Sequence, residues 1–186
     1  MRIVAGRHRG ARLEAPRGEA TRPTSDRARQ ALFDTLTGGR FDLDLNDSVV
    51  LDLFAGTGAL GLEALSRGAA RAIFVEKDRA ALAALKRNIA HLQAGDRAAV
   101  LAQDAAKLGR AREAASLVLM DPPYRQGLAG PALQALVAGG WLAPGALIVV
   151  EQAKDETPDL PPGFALLEDR RYGAARFLFL RQAVPA

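Results

Sequence analysis

From residue 49 onwards, short apolar runs alternate with longer segments of helical periodicity. The apolar runs predict strands at residues 49–54, 72–75, 98–101, 117–120 and 146–150. Apolar positions at helical spacing predict helices at residues 58–67, 79–92 and 131–138. This alternation predicts an α/β fold with a doubly wound, mainly parallel sheet and right-handed crossovers. The runs at residues 164–170 and 177–181 are joined too tightly for a parallel crossover, so at least one of them is expected to be antiparallel.

The first 40 residues follow a different pattern. Residues 1–15 alternate loosely around a turn at residues 7–10, which predicts a short β-hairpin. Thr24 or Ser25 can cap a helix that begins near Asp26, and the glycines at 38 and 39 end it. A chain of 186 residues suits one domain with a small appendage. We therefore expect a basic hairpin arm over residues 1–20 and a single α/β domain over residues 21–186.

Positive charge is concentrated in the same N-terminal region. Residues 1–40 contain nine arginines and four acidic residues, a balance of +5, whereas the whole chain carries +4. A general preference for arginine would explain the 21 arginines against four lysines, but it would not explain their position. The asymmetry predicts contacts with nucleic acid phosphates. The predicted RNA-binding residues are Arg7, Arg9, Arg12, Arg22, Arg27 and, beside the motif described below, Arg125.

The composition excludes several classes of protein. The chain has no cysteine and only two histidines, His8 and His91, so we expect neither a disulfide framework nor a metal site. The N-terminus lacks the apolar core of a signal peptide, and no window approaches 18 consecutive apolar residues. We expect a cytoplasmic protein that is a monomer and binds no membrane.

The apolar run at 117–120 stops abruptly at a four-residue motif, Asp121, Pro122, Pro123 and Tyr124, which we call the tetrad. Proline cannot continue a central strand, and it holds the residue before it extended. A carboxylate, two carbonyls and an aromatic ring are thus expected at the carboxyl end of a strand, where open α/β sheets bind ligands. The alternative is an ordinary turn. The motif favours a site that holds a flat amine, and therefore chemistry on a nucleobase amino group.

A glycine-rich segment follows the first strand of the sheet. Gly56, Gly58 and Gly61 match the G-x-G-x-x-G pattern of dinucleotide-binding loops, and Glu76 lies 20 residues beyond Gly56. A nicotinamide or flavin enzyme is therefore one interpretation. Asp52 favours another interpretation, because its carboxylate lies close to the glycine turn, where a dinucleotide would place its negatively charged pyrophosphate. Two like charges ~4 Å apart cost roughly 1 kcal/mol in water and about 4 kcal/mol at an effective dielectric of 20. S-adenosylmethionine is positively charged and lacks phosphate, so we favour it as the cofactor.

Two further acidic residues belong to the predicted cofactor site. Glu76 can bind ribose hydroxyls of either cofactor and does not discriminate between them. Asp104, just after the third strand, can accept a hydrogen bond from an adenine amine or can be an exposed loop residue.

The tetrad suits methylation of an exocyclic amine. Such an amine is a poor nucleophile, because its lone pair is delocalised into the ring. The carboxylate of Asp121 and the carbonyl of Pro122 can accept its two hydrogens, direct the lone pair and stabilise the charge that develops on nitrogen. Tyr124 can stack on the base, a contact worth ~1–3 kcal/mol.

Three segments resemble the bacterial 16S ribosomal RNA guanine-N2 methyltransferases of the RsmD type: residues 22–29 with Leu32 and Phe33, residues 51–68, and residues 140–142. The resemblance implies a Rossmann-like, seven-stranded sheet whose last strand is antiparallel. It implies that residues 21–186 are a methyltransferase domain acting on small-subunit ribosomal RNA in an assembling 30S particle. It also implies target-amine contacts at residues 121–124 and S-adenosylmethionine contacts at Asp52, Phe54, Ala55, Gly56, Thr57, Gly58, Glu76 and Asp104.

Three alternatives remain open from the residues alone. A DNA adenine-N6 methyltransferase could use the same tetrad, although the chain has little room for a separate base-reading domain. A dinucleotide-dependent oxidoreductase would account for the glycine pattern, and a non-catalytic RNA-binding protein would account for the basic arm.

Overall fold

The computed structural model of the protein describes residues 1–16, 25–156 and 160–183. Within these residues, seven strands form one mixed sheet in the order β3-β2-β1-β4-β5-β7-β6. The strands are β1 Val49–Leu53, β2 Arg71–Glu76, β3 Ala98–Ala102, β4 Ala115–Met120, β5 Leu142–Ala153, β6 Phe164–Tyr172 and β7 Ala175–Gln182. The α-helices are α1 Asp26–Thr37, α2 Ala59–Ser66, α3 Arg79–His91 and α4 Ala129–Gly139.

The sheet confirms the predicted fold class. Strands β1 to β5 are parallel to one another, whereas β7 runs antiparallel to both β5 and β6. Helix α1 begins as predicted, because the side chain of Ser25 accepts a hydrogen bond from the amide of Ala28. Strand β5 is much longer than the apolar run at 146–150. Both ends are paired to β4 or β7, but the N-terminal end is partly exposed and the buried C-terminal end contains the polar residues Glu151 and Gln152, so the local hydrophobic pattern does not reveal them.

Alternate residues of the strands pack into separate cores on the two faces of the sheet. In β4, Leu117 and Leu119 belong to the core that also contains α1, α2 and α3. Val118 and Met120 belong to the core beneath α4, which includes Trp141. The indole of Trp141 is buried and donates to the backbone carbonyl of Gly109 at 2.8 Å, so Trp141 is a packing residue of this core. Because both faces of the sheet are covered, a ligand has access at the ends of the strands.

The N-terminal residues form a short hairpin that packs on α2. Its antiparallel pairing is one bridge, between Arg2 and Arg12, and its apolar side chains Ile3 and Leu13 are buried in the core. Glu63 of α2 accepts hydrogen bonds from two hairpin amides, at 2.7 and 3.0 Å. The hairpin is therefore fixed to the sheet domain by both apolar burial and hydrogen bonds.

A buried ion-pair network joins the hairpin, α1 and α2. The side chain of Arg29 is fully buried and lies 3.5 Å from the carboxylate of Glu63, which is also fully buried. Arg67 donates to the same carboxylate at 2.7 Å, and Asp26 pairs with Arg29 at 2.8 Å. Arg29 also donates to the backbone carbonyl of Arg2. Removing one member would leave a buried charge uncompensated, so Glu63 has a structural role here.

Candidate active site

A cavity of about 330 Å³ opens at the carboxyl edge of the sheet. Phe54, Gly56 and Thr57 line one side of it, Glu76 lies at the end of β2, and Asp121 is among the residues on another side. The two motifs meet because β1 and β4 are parallel neighbours with Leu53 opposite Met120. The fold therefore brings together the glycine loop and the tetrad, which are well separated in sequence.

Two glycines let the loop turn tightly into α2. Gly58 precedes the helix in the left-handed conformation, with φ of 81°, which favours glycine. At Gly61, a Cβ atom would lie 2.4 Å from the ring of Phe74 and 3.1 Å from the carboxylate of Asp52. Phe54 also has a positive φ, 59°, a strained conformation for a residue with a side chain. Phe54 lines the cavity, so this strain lies at the wall of the candidate site.

Asp52 lies beneath the glycine loop. It is 2% exposed, is not among the described residues that line the cavity, and accepts a hydrogen bond from the amide of Gly61 at 2.8 Å. Burial raises the pKa of Asp52 to about 8, although that hydrogen bond acts in the opposite direction. The side chain is therefore largely protonated at neutral pH. Its direct repulsion of a phosphate, expected from the sequence, is not supported, and its role in this structure is to support the loop.

Acidic groups other than Asp52 would repel a ligand phosphate in this cavity. The described lining of the cavity includes Glu76, Asp78 and Asp121 against one basic residue, Lys77. In addition, the amide of Gly56 already donates to the Glu76 carboxylate, at 2.8 Å. An acidic cavity with this loop amide already occupied is unfavourable for a pyrophosphate and favourable for a cationic ligand.

The carboxylate of Glu76 is held in one position. Beyond the amide of Gly56, it accepts hydrogen bonds from the amides of Lys77 at 2.7 Å and Asp78 at 2.8 Å. A carboxylate can accept about four hydrogen bonds, so this fixed group retains capacity for a hydroxyl. The position at the end of β2 agrees with the predicted contact to a ribose.

The remaining predicted cofactor residues lie around the loop and at the end of β3. Ala55 is buried, and its amide donates to the carbonyl of Val75 at 3.0 Å. Asp104 accepts from the amide of Ala106 and from Lys77, both at 3.0 Å, and these contacts hold the pKa of Asp104 below its usual value. Its neighbours Gln103 and Ala105 line the cavity. The contact of Asp104 with an adenine therefore stays a prediction.

The tetrad leaves β4 at the cavity and continues into a second concave surface. The backbone amide of Asp121 lies 3.4 Å from the carbonyl of Leu53, which ties the tetrad to the end of β1. Pro123 lines the cofactor-sized cavity and, with Pro122, also a small pocket of about 40 Å³. The hydroxyl of Tyr124 donates to Glu151 at 3.0 Å.

A larger groove of about 700 Å³ begins at Tyr124 and Glu151. Ser25 and Ala28 at the start of α1 line it, together with Arg125. Glu151 is a residue of this groove that no sequence motif predicts. An available signal was an acidic residue directly after the apolar run at 146–150, the same pattern that identified Asp121 at the end of 117–120.

Of the predicted RNA-binding arginines, those within the described residues are exposed. Arg7, Arg9 and Arg12 lie on the hairpin, and Arg27 lies on α1 between two residues that line the groove. Arg125 has a side chain that is 70% exposed and pairs with Asp155 at 2.6 Å. Arg22 lies outside the described residues. No described helix has the length and apolar character of a membrane span.

Comparisons with known proteins agree with this architecture. The family described as "Conserved hypothetical protein 95" matches residues 1–181. A relative from Escherichia coli K12, "Ribosomal RNA small subunit methyltransferase D", is 38% identical over 98% of this chain and 91% of its own length. The relative of the same name from Haemophilus influenzae is 36% identical over 95% of this chain and 91% of its own.

A solved structure of similar sequence, "Putative methyltransferase yhhF from Escherichia coli", superimposes with a TM-score of 0.81, at 38% identity and with 98% of each chain covered. Both the family match and these relatives extend over nearly the whole sequence, including the glycine loop and the tetrad. The chain therefore belongs to the conserved hypothetical protein 95 family, with the ribosomal RNA small subunit methyltransferases D among its relatives.

Proposed function

We propose that this protein transfers a methyl group from S-adenosylmethionine to the N2 amine of a guanine in small-subunit ribosomal RNA. The observation that carries the proposal is the cavity shared by the glycine loop and the tetrad across the paired ends of β1 and β4. It gives one site that can hold a methyl donor next to an amine-binding group. The relatives' names support ribosomal RNA as the methyl acceptor.

The residues present fit S-adenosylmethionine. A Cβ built on Gly56 would meet only a backbone oxygen, at 3.9 Å, so a ligand can approach the loop backbone closely. Glu76 would hold the ribose hydroxyls, and the acidic lining favours a ligand that carries an ammonium and a sulfonium. When bound, this cofactor supplies an electrophilic methyl group.

The tetrad would prepare the amine for attack. Asp121 and the carbonyl of Pro122 accept the two amine hydrogens, which orients the nitrogen lone pair towards the methyl group. The same two acceptors stabilise the positive charge that develops on nitrogen, a preorganised electrostatic effect. Tyr124 packs against the base, and its hydroxyl is anchored by Glu151. The rest of the catalysis is the positioning of the two reactants within one cavity.

The exposed arginines would position the RNA. Arg7, Arg9 and Arg12 are exposed on the hairpin, and Arg125 lines the 700 Å³ groove beside Tyr124. Arg27 is exposed on α1, next in sequence to Ala28, which also lines the groove. Phosphate contacts of this kind orient a nucleic acid without reading its sequence. The size of the groove suits an extruded nucleotide, and an assembling 30S particle presents RNA that is not yet covered by protein.

The direct test is methyl transfer to small subunits from cells that lack the protein. The wild-type enzyme with labelled S-adenosylmethionine should label their RNA, and mass spectrometry of the digested RNA should identify N2-methylguanosine. Asp121→Ala removes this acceptor and should lower the rate about 10²–10³-fold, the usual effect of losing one transition-state contact. Glu113→Ala is the matched control, because Glu113 is a surface residue close to the start of β4. Label on duplex DNA alone would indicate the adenine alternative, and no label on any acceptor would refute the proposal.

A calorimetric titration separates the two cofactor interpretations. S-adenosylmethionine should bind the wild-type protein, whereas a nicotinamide dinucleotide should not, because Glu76 and Asp121 oppose its phosphates. Binding of the dinucleotide alone would favour the oxidoreductase.

A further inference from the structure

The tetrad alone does not select among nucleobases, because guanine, adenine and cytosine all carry an exocyclic amine. The bases differ at the ring nitrogen next to the amine-bearing carbon. In guanine this nitrogen, N1, carries a hydrogen and is a donor, whereas the corresponding nitrogens of adenine and cytosine are bare acceptors. A protein that selects guanine at this edge therefore needs a hydrogen-bond acceptor beside the tetrad.

The fold places a carboxylate at that position. Strands β4 and β5 are parallel with Met120 opposite Val150, so the next residues, Asp121 and Glu151, are neighbours at the carboxyl edge of the sheet. Glu151 and Tyr124 both line the 40 Å³ pocket and the 700 Å³ groove. The carboxylate is thus next to the amine-holding group and on the side from which an RNA nucleotide would enter.

Glu151 is a buried carboxylate that lines both concave surfaces beside Tyr124. It is 3% exposed and lies near the carboxyl end of a central strand. The Tyr124 hydroxyl supplies one donor to its Oε1 at 3.0 Å. A carboxylate accepts about four hydrogen bonds, so the group can bind the tyrosine and a base N–H together.

We propose that Glu151 determines the guanine specificity of this enzyme by accepting a hydrogen bond from N1–H of the target base. Asp121 and Pro122 hold the N2 amine of the same edge, and Tyr124 stacks on the ring. Adenine and cytosine would direct a bare ring nitrogen at the Glu151 carboxylate. The hydrogen bond would then be lost, and the lone pair of the nitrogen would face the negative charge of the carboxylate. This inference rests on the proposed function, and it names the residue that selects the base.

The test compares guanine with 2-aminopurine at the nucleotide that mass spectrometry identifies as methylated. 2-Aminopurine keeps the amine at position 2 but has a bare N1. Small-subunit particles assembled with either base are offered to each variant, and kcat/KM is measured for both. The wild-type enzyme should prefer guanine by at least ~100-fold, since a site built to bind a polar group rejects an analogue that lacks it.

Glu151→Gln should reduce that preference at least tenfold, because the amide can donate to a bare N1. The preference is a ratio measured within one variant, so it does not depend on the folded fraction. Tyr124→Phe removes the tyrosine contact and should slow both substrates by the same factor. Glu151→Asp keeps the carboxylate and should retain the preference for guanine. If the glutamine variant does not fold, the aspartate variant provides the second measurement of this preference, and loss of the preference in it would count against the inference.

Two outcomes would overturn the inference in distinguishable ways. If Glu151→Gln slows both substrates equally, as Tyr124→Phe does, Glu151 only positions the tyrosine. If the wild-type enzyme labels neither particle, the proposed function itself fails and the inference fails with it.

Discussion

Substitution of Asp52 by asparagine should change how the stability of the ligand-free protein depends on pH. The carboxyl group is buried beneath the glycine loop, and burial raises its pKa to about 8. Asparagine has almost the same shape, and its amide oxygen can still accept the hydrogen bond from Gly61. The substitution therefore removes the titration while it keeps the packing and the hydrogen bond.

The sign of the effect follows from the two pKa values of Asp52. In the unfolded chain an aspartate titrates near pKa ~4, so between about pH 4 and pH 8 the folded protein holds a proton that the unfolded chain has released. The free energy of unfolding must then fall as the pH rises through this window, by about 1.4 kcal/mol per unit. Between pH 5 and pH 8 the contribution of Asp52 amounts to roughly 3–4 kcal/mol, with the slope flattening near pH 8.

The assay is urea unfolding of the wild type and Asp52→Asn at pH 5, 6, 7 and 8. The other titrating groups are common to both proteins, so the difference between their unfolding free energies isolates Asp52. That difference should shift by roughly 3–4 kcal/mol in favour of the variant from pH 5 to pH 8. Parallel pH profiles would mean that Asp52 is ionised in the folded protein, and would refute the inference that burial keeps it protonated.

Three further substitutions test the packing and the RNA surface. Glu63→Ala should lower the free energy of unfolding by about 3–5 kcal/mol, because it removes the fully buried partner of Arg29 and the acceptor of two hairpin amides; a denaturation curve that matches the wild type would contradict this role. Gly61→Ala should cost about 1–3 kcal/mol through overpacking. Thermal unfolding measures this cost. The control is Gly95→Ala, whose added Cβ would have no atom of the described residues within 4 Å beyond its chain neighbours and should have little effect in the same assay. Replacing Arg7 and Arg9 by alanine should weaken RNA binding and make the decrease of log affinity with log salt less steep by about 1.5. An unchanged slope would mean that these two residues do not contact RNA phosphates.

The glycine loop and the tetrad of the proposed site could be predicted from sequence because their signals are local. Glycines at 56, 58 and 61 allow tight turns and close contacts, whereas prolines at 122 and 123 restrict the backbone, and both sets follow apolar runs that form strands. The edges of strands were less predictable. Strand β5 extends from Leu142 to Ala153 through backbone pairing, which the side-chain pattern does not record.

The roles of the buried charged residues could be assigned only in the tertiary structure. Arg29 and Glu63 lie in different helices, and their ion pair exists because the hairpin and α1 pack against α2. Glu151 acquires its significance from Asp121 and Tyr124, which belong to the neighbouring strand and its loop. In each case the partners are remote in sequence, so no spacing rule connects them.

Asp52 shows most clearly what the sequence determines and what the structure decides. The sequence by itself placed an acidic residue at the end of β1, beside the glycine loop, and predicted a site for a cationic ligand. Only the structure shows that Asp52 is buried under the loop, where burial raises its pKa to about 8, while Glu76 and Asp121 contribute to the acidic lining. The identity of a residue is fixed by the sequence, but its charge depends on solvent exposure and on neighbours, and both are set by tertiary packing.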